Sequence, residues 1–352
     1  MIVIGTDTHK RTHTAVAVDG SGQLASELTA LARPQGFLEM FEWARVLDPD
    51  RVWAIEDCRH VSGSLERFLV ARGERVVRVA PKLMGASRKG VRTAGKSDPI
   101  DALAIARAAL AEGPERLPEA SVDERALEIK LLLDHHDDLV TARSSDQRRL
   151  RWHLHDMWPE LELPAGCLDR EVWLQKLARR LARAEQTTRV RISRELISAI
   201  RARTRRVREL ERELAMLVKA KAPQLLEMPG CGTLTAARIL AEVGDITRFS
   251  SDSKLARLAG IAPIPVSSGM RHRHRLDRGG NRLLNCAFHR MAVNQGRLNP
   301  QAHAYLTRKQ AEGRTRMDAL RCLKRHLARR IYQLLNQPPT PASTIHTTLA
   351  LT

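Results

Sequence analysis

Four short, mainly apolar runs and one mixed polar and apolar stretch in the first eighty residues constrain the fold more than any other feature. They are Ile2-Val3-Ile4, Ala15-Val16-Ala17-Val18, Leu24–Leu31, Val52-Trp53-Ala54-Ile55 and Val76-Val77-Arg78-Val79-Ala80. Each is shorter than a core helix, and each is bounded by turn or polar residues, so they read as strands. The first three follow one another directly, with Asp19-Gly20-Ser21-Gly22 as a turn between the second and third. The last two alternate with helical patterns: Phe37, Met40, Phe41 and Ala44 recur at helical spacing, and a helix is expected over 64–72. Three sequential strands followed by helix–strand units predict an α/β sheet of mixed direction.

Carboxylates fall at telling places on that frame. Asp7 lies in the segment Gly5–Thr12 that follows the first apolar run, and Glu56 closes the fourth strand. After a polar, basic stretch over 82–96, Lys96-Ser97-Asp98-Pro99-Ile100-Asp101 opens an Ala/Leu-rich helix. Asp98 and Asp101 are three apart, share one helical face and can converge on one ion. A second reading stands beside it. Asp98 ahead of Pro99 has the form of an N-cap followed by proline at the first helical position, and Asp101 falls where the helix dipole favours an anion. Asp7 as a hairpin-turn residue and Glu56 as an exposed strand end are the matching plain readings. The strand order resembles the ribonuclease H-like fold of RuvC-type nucleases, whose acids lie on the first strand, at the end of the fourth and on the last helix. Chemistry supplies the need: two Mg²⁺ ions about 4 Å apart require several carboxylate oxygens on rigid elements. Lys10 and His9 lie just beyond Asp7, where either could reach a phosphate, with a solvated turn as the favoured role of His9.

Charge narrows the partners. The chain has 59 Lys+Arg against 40 Asp+Glu, a net charge of +19. Such a field favours a polyanion, nucleic acid first and an anionic membrane surface second. No apolar run approaches the roughly 18 residues of a membrane span, and the apolar start is too short for a signal peptide, so a cytoplasmic protein is expected. The five cysteines form no CxxC pair, which disfavours a disulfide framework or a zinc ribbon. Aromatics at 3% exclude base stacking as the main mode of contact.

Pro114 and Pro118 mark a linker, after which the chain changes character. Ala126, Ile129, Leu133, His136, Val140, Arg143, Gln147, Leu150, Leu154 and Met157 alternate three- and four-residue steps, the spacing of a coiled-coil seam. Trp158-Pro159 breaks it. A return helix is expected from about Asp169 to Ala222, with Ile200, Thr204, Val207, Leu210, Leu214 and Leu217 as its seam. Its outer faces are rich in arginine with few nearby acids, which suggests a dimerisation arm that also follows a nucleic-acid backbone. Pro229-Gly230-Cys231-Gly232 before an apolar helix resembles a helix-hairpin-helix element, whose backbone N–H groups approach phosphate; an interhelical turn is the alternative. Next comes Ser267-Ser268-Gly269-Met270-Arg271-His272-Arg273-His274-Arg275, with its serines expected in an exposed turn. Arg278-Gly279-Gly280-Asn281-Arg282 follows, then a helix over 282–296 and a last basic amphipathic helix over 314–335. The His pair lacks partners for a zinc site.

Two distant signatures now agree. Gly5-Thr6-Asp7-Thr8-His9-Lys10, Ile55-Glu56-Asp57 and Lys96–Ala102 resemble the amino-terminal half of the DEDD transposases of insertion sequences. Leu258-Ala259-Gly260-Ile261-Ala262-Pro263, Ser267-Ser268-Gly269 and Arg278-Gly279-Gly280-Asn281 resemble their carboxy-terminal transposase domain. The likeness extends to about residue 335. That family includes pilin-gene-type DNA invertases and recombinases guided by a structured bridge RNA.

The resemblance implies an α/β plus all-α chain in three parts. These are a RuvC-like nuclease domain over 1–115, a coiled-coil arm over 116–222 and a serine-bearing, mainly helical domain over 223–336, with a loose tail over 337–352. It further implies a composite active site: Asp7, Glu56, Asp98 and Asp101 would hold Mg²⁺ or Mn²⁺, and Ser268 would attack the scissile phosphate, with Ser267 as the alternative nucleophile. Lys10, Lys82, Arg88, Lys89, Arg92, Lys96, Arg271, Arg273, Arg275, Arg278 and Arg282 are the expected nucleic-acid contacts. DNA, a guide RNA and a homodimer or homotetramer are the expected partners, in a bacterial, nucleoid-associated setting. One departure stands out: many relatives follow the strand-end Glu with a small-Thr-Gly run, where this chain has Asp57-Cys58-Arg59-His60-Val61-Ser62-Gly63. Two rivals remain at this level, a metal-only junction endonuclease and a non-catalytic nucleic-acid-binding protein.

Overall fold

The structure is a computed structural model that describes residues 1–56, 63–80, 83, 97–120, 123–268, 271–275, 277 and 279–337. The chain divides into two compact units: Met1–Asp123 with Gly244–Leu255, and Glu124–Val243 with Ala256–Thr352.

The first unit is built on a five-stranded sheet. Its strands are β1 (Ile2–Thr8), β2 (Thr12–Val18), β3 (Leu24–Leu31), β4 (Arg51–Glu56) and β5 (Val76–Val79), in the order β3-β2-β1-β4-β5. β1–β2 and β2–β3 pair antiparallel, whereas β1–β4 and β4–β5 pair parallel. This is the ribonuclease H-like arrangement that the order of apolar runs predicted. The parallel pairs need crossovers, and the helices α1 (Pro34–Leu47) and α2 (Gly63–Val70) lie on them.

Period-two alternation sorts the strand residues between two layers. Val3, Val16, Val18, Val52, Ala54, Val77 and Val79 pack against Ala102, Ile105, Ala106 and Ala109 of α3 (Asp98–Glu112). Ile4, Ala15, Ala17, Trp53 and Ile55 pack on the other face, against Phe37, Met40 and Ala44 of α1 and Leu65 and Leu69 of α2. β1 is central and bonded on both sides, which explains why it runs on through Thr8 instead of ending near Ile4. Asp7 pairs with Thr14 and Thr8 with His13, so Asp7 is a strand residue and the turn is left to His9-Lys10-Arg11.

The second unit is largely helical. It contains α4 (Glu124–Met157), α5 (Glu171–Arg183), α6 (Thr188–Lys221), α7 (Thr233–Val243), α9 (Arg282–Leu298), α10 (Pro300–Ala311) and α11 (Arg316–Asn336), while α8 covers Asp252–Leu258. A two-stranded hairpin, β6 (Ile264–Ser268) and β7 (Arg271–Arg275), interrupts the helices. α4 and α6 run antiparallel, because the contacts His136–Glu211, Asp146–Arg203 and Asp156–Arg189 climb one helix as they descend the other. The predicted seam is buried at Ala126, Ile129, Leu133, His136, Leu150 and Leu154, and on α6 at Ile200, Val207, Leu210 and Leu214.

Two expectations for this arm need correction. The return segment is two helices: the chain is extended at Ala184, and Thr187 caps α6 by accepting from the Val190 N–H at 3.3 Å. The arginines are also less free than their local sequence suggests. Acids distant in sequence neutralise Arg180, Arg189, Arg201 and Arg203 through Glu160, Asp156, Glu171 and Asp146.

Candidate active site

The site starts from Gly5. On β1, Val3, Gly5 and Asp7 share the face that α3 covers. A Cβ at Gly5 would stand 2.1 Å from the Ala102 carbonyl oxygen and 2.4 Å from the Ala106 nitrogen. Glycine therefore lets the α3 backbone rest directly on β1. The same approach brings the first residue of α3 to Asp7, two positions further along the strand.

Here the N-cap expectation fails. Ser97, extended at φ −146°, is the N-cap, and no side chain caps the helix. Asp98 is the first helical residue, and proline at the second position is tolerated because its missing N–H would be unbonded there anyway. Freed from capping, the Asp98 carboxylate turns to His9. His9 Nε2 lies 3.2 Å from Asp7 Oδ2 and 3.2 Å from Asp98 Oδ1. Asp7, His9 and Asp98 can each present one ligand atom within 4.8 Å of the others.

The electrostatics agree with this crowding. Burial pushes the Asp7 carboxyl above its ordinary value; His9 opposes this, while the charges of Asp101 and then Asp98 add to it. Asp101 is therefore close enough to act on Asp7. Glu56, half-buried, closes β4 one residue past the Thr6–Ile55 pair, and neither it nor Asp101 joins the group of ligand atoms within 4.8 Å that Asp7, His9 and Asp98 form. Two carboxylates joined by an imidazole suit a divalent cation. The oxygens are the hard donors that Mg²⁺ and Mn²⁺ prefer, and the nitrogen is acceptable to Mn²⁺. His9 was missed as a member of this group. Its signal was its spacing from Asp7 across a tight hairpin turn, and reading the strand as ending early hid it.

Lys10 is exposed in the same turn. Asp57–Ser62, Lys82, Arg88, Lys89, Arg92, Lys96 and Arg278 lie outside the described residues. Ser267 and Ser268 are the last two residues of β6, in register with His272 and Arg271, and so belong to the strand and not to the turn itself. Arg273 and Arg275 lie on β7, and Arg282 is the exposed first residue of α9.

Buried polar contacts hold both ends of that hairpin. Asn285 Nδ2 donates to the Ala259 carbonyl at 2.8 Å, and Lys324 Nζ donates to Asn285 Oδ1 at 2.9 Å. Asn281 caps α9 by accepting from the Leu284 N–H at 3.0 Å, and donates to the buried Glu242 carboxylate at 2.5 Å. Gly260, at φ +64°, and Gly280 touch through their backbones, an approach no side chain would allow. Burial lowers the Lys324 pKa, as expected of an ammonium held by a neutral amide.

Comparison with known proteins follows these two regions. Residues 4–159 match the family model of the DEDD transposases of IS110, described as "Transposase", and residues 222–307 match "Transposase IS116/IS110/IS902 family". The insertion element IS116 uncharacterized 44.8 kDa protein of Streptomyces clavuligerus is 28% identical, over 92% of each chain. A structure of T. thermophilus RuvC in complex with a Holliday junction substrate aligns at 17% identity over 34% of this chain and 99% of its own, with a TM-score of 0.28; the ribonuclease H-like character of the sheet rests on strand order and direction, not on that alignment. The insertion element IS110 uncharacterized 43.6 kDa protein of Streptomyces coelicolor is 30% identical over 68% of this chain and 70% of its own. With that relative and both family models in agreement, the chain belongs to the IS116/IS110/IS902 family of transposases.

Proposed function

We propose that this transposase is a site-specific DNA recombinase that cuts and rejoins strands through Ser268, assisted by a divalent-cation site made of Asp7, Glu56, Asp98 and Asp101. The observation that carries the reading is the convergence of Asp7, His9 and Asp98 at the start of α3. When bound there, Mg²⁺ or Mn²⁺ supplies charge neutralisation at a phosphate. Asp7, Glu56, Asp98 and Asp101 would hold it, His9 between Asp7 and Asp98 would set their spacing, and Lys10 would draw the phosphate in.

The serine chemistry is balanced without an energy source. The Ser268 Oγ–P bond forms as the bond from phosphorus to one deoxyribose oxygen breaks. The serine proton leaves to a base, and the freed oxygen departs as a hydroxyl. The phosphoserine ester conserves the phosphodiester bond for rejoining. Residues 1–115, 116–222 and 223–336 act as nuclease, arm and serine-bearing parts of a homodimer or homotetramer. A structured bridge RNA directs target choice; family resemblance and the charge of +19 support this part of the reading.

Ser268→Ala is the direct test, in a recombination assay on element-end DNA and in trapping of a covalent protein–DNA adduct. Recombination should fall by at least about 10³-fold and the adduct should vanish, with DNA binding retained. Loss in Ser267→Ala alone moves the nucleophile to Ser267. Wild-type rates in both variants sink the serine mechanism and leave metal-only hydrolysis. Sequencing of RNA that purifies with the protein tests the guide, and the absence of a specific RNA refutes it.

A further inference from the structure

Among the described residues, several arm arginines are neutralised by a carboxylate, but three of the four in one row are not. Arg201, Arg205, Arg208 and Arg212 follow at steps of four, three and four on α6, so they share one helical face. They span about 16 Å of helix. With Thr204, Asp169 and Glu171 they line a groove of about 460 Å³.

The two carboxylates in the groove are already committed. Glu171 pairs with Arg201 at 2.7 Å. Asp169 accepts from Gln147 at 2.9 Å and lies 3.8 Å from Arg143. Arg205, Arg208 and Arg212 are exposed, and none forms an ion pair among the described residues. Elsewhere on the arm, single-helix pairs neutralise Arg125 with Glu128, Arg191 with Glu195 and Arg206 with Glu209. Like charges at this helical spacing repel one another, so the row is a standing cost to the free protein. Two buried atoms of the lining, Thr204 Oγ1 and Arg201 Nε, also lack a hydrogen-bond partner among the described residues. Both are donors, as an anion requires.

We propose that this groove binds the phosphate backbone of a nucleic-acid strand. Guanidinium groups take phosphate oxygens bidentately. No aromatic side chain lines the groove, so contact runs along the backbone without base stacking and is independent of sequence. The inference rests on the reading of the protein as a nucleic-acid recombinase, but does not depend on its serine chemistry.

The test is the salt dependence of binding by the full chain carrying R205Q, R208Q and R212Q together. Three probes of equal length are followed by fluorescence anisotropy: duplex DNA, single-stranded DNA and an RNA hairpin. Loss of three phosphate contacts should flatten the plot of log K against log salt by about 2–3 for the strand that occupies the groove. The control variant R125Q, R191Q and R206Q removes the same charge from paired sites and should change the slope by less than about 1. All six positions lie on helix surfaces, and an unchanged melting curve verifies folding, with R208Q alone as the milder variant. A change confined to the RNA probe identifies RNA as the occupant, and one confined to a DNA probe identifies DNA. An unchanged slope for every probe, or an equal effect of the control set, overturns the groove. Failure of the unsubstituted protein to bind any probe would instead overturn the proposed function.

Discussion

Gly5→Ala is the smallest change that tests how the fold makes the site. The added methyl carbon would lie 2.1 Å from the Ala102 carbonyl oxygen, 2.4 Å from the Ala106 nitrogen and 2.8 Å from the Ala106 Cβ. The first distance is roughly 1.3 Å inside ordinary van der Waals contact. Two of the three atoms belong to backbone, so no side chain can turn aside: α3 must lift from β1, or the strand must bend. Overpacking of this kind costs about 1–3 kcal/mol. That predicts a fall in the melting temperature of a few degrees.

The larger effect falls on the proposed cation site. α3 carries Asp98 and Asp101, and a displacement of about 1 Å between reacting or coordinating groups is worth about 10²-fold. Gly5→Ala should therefore lose Mn²⁺ affinity and strand cleavage far beyond what its stability loss explains. Mn²⁺ titration calorimetry and a cleavage assay below the melting transition measure the two. Gly20→Ala serves as control, because no atom lies within 4 Å of a Cβ there. A Gly5→Ala protein that keeps wild-type Mn²⁺ affinity and cleavage would refute the claim that close helix–strand packing places the acids.

Four further outcomes are expected. His9→Ala should weaken Mn²⁺ binding by about tenfold, since the group that spaces Asp7 from Asp98 is gone; unchanged calorimetry would return His9 to the status of a turn residue. Asp146, 2% exposed, takes both Arg203 and Arg149, and Asp146→Ala should cost about 2–4 kcal/mol in urea unfolding, tempered by the partial exposure of Arg203; a loss below about 1 kcal/mol would show the pair to be dispensable. Burial pushes the Cys231 thiol up to about 12, so at pH 8 it should resist alkylation while exposed Cys286 reacts, as peptide mass spectrometry would reveal. Because that folded pKa is raised, the thiol's contribution to stability is complete below pH 9 and is lost as pH climbs from 9 toward 12, a decline that Cys231→Ala should lessen.

Much of the first unit was legible because a sheet buried on both faces writes its strands as short apolar runs. Val52–Ile55 lies within β4 with all four residues buried, and the acids fall on the elements named for them. What could not be read were distances between segments. The spacing that made Asp98 look like a cap says nothing about where its carboxylate points, and His9 gains its neighbours only when β1 continues to Thr8. The arm shows the same limit. Its seam was periodic and therefore visible, whereas the acids that neutralise Arg180, Arg189, Arg201 and Arg203 lie 20, 33, 30 and 57 residues away. Charge patterning along a sequence window cannot see partners at that range.

Gly5, Asp7 and the uncapped start of α3 form a single device. A helix N-terminus carries partial positive charge, which offsets the repulsion between Asp98 and Asp101 and the raised cost of ionising buried Asp7. Had Asp98 been the N-cap, its oxygen would have been taken by a backbone N–H of its own helix. With Ser97 in that position and its side chain unbonded to the helix, the first carboxylate remains available. The helix start therefore does two things at once: it neutralises, and it presents two acids on one face, the first of them not taken up by the cap. None of this works at a distance, because the dipole fades within a turn. The missing Cβ at Gly5 is what brings that first turn to Asp7, so a methyl group on a buried strand would disturb the proposed cation site two residues away.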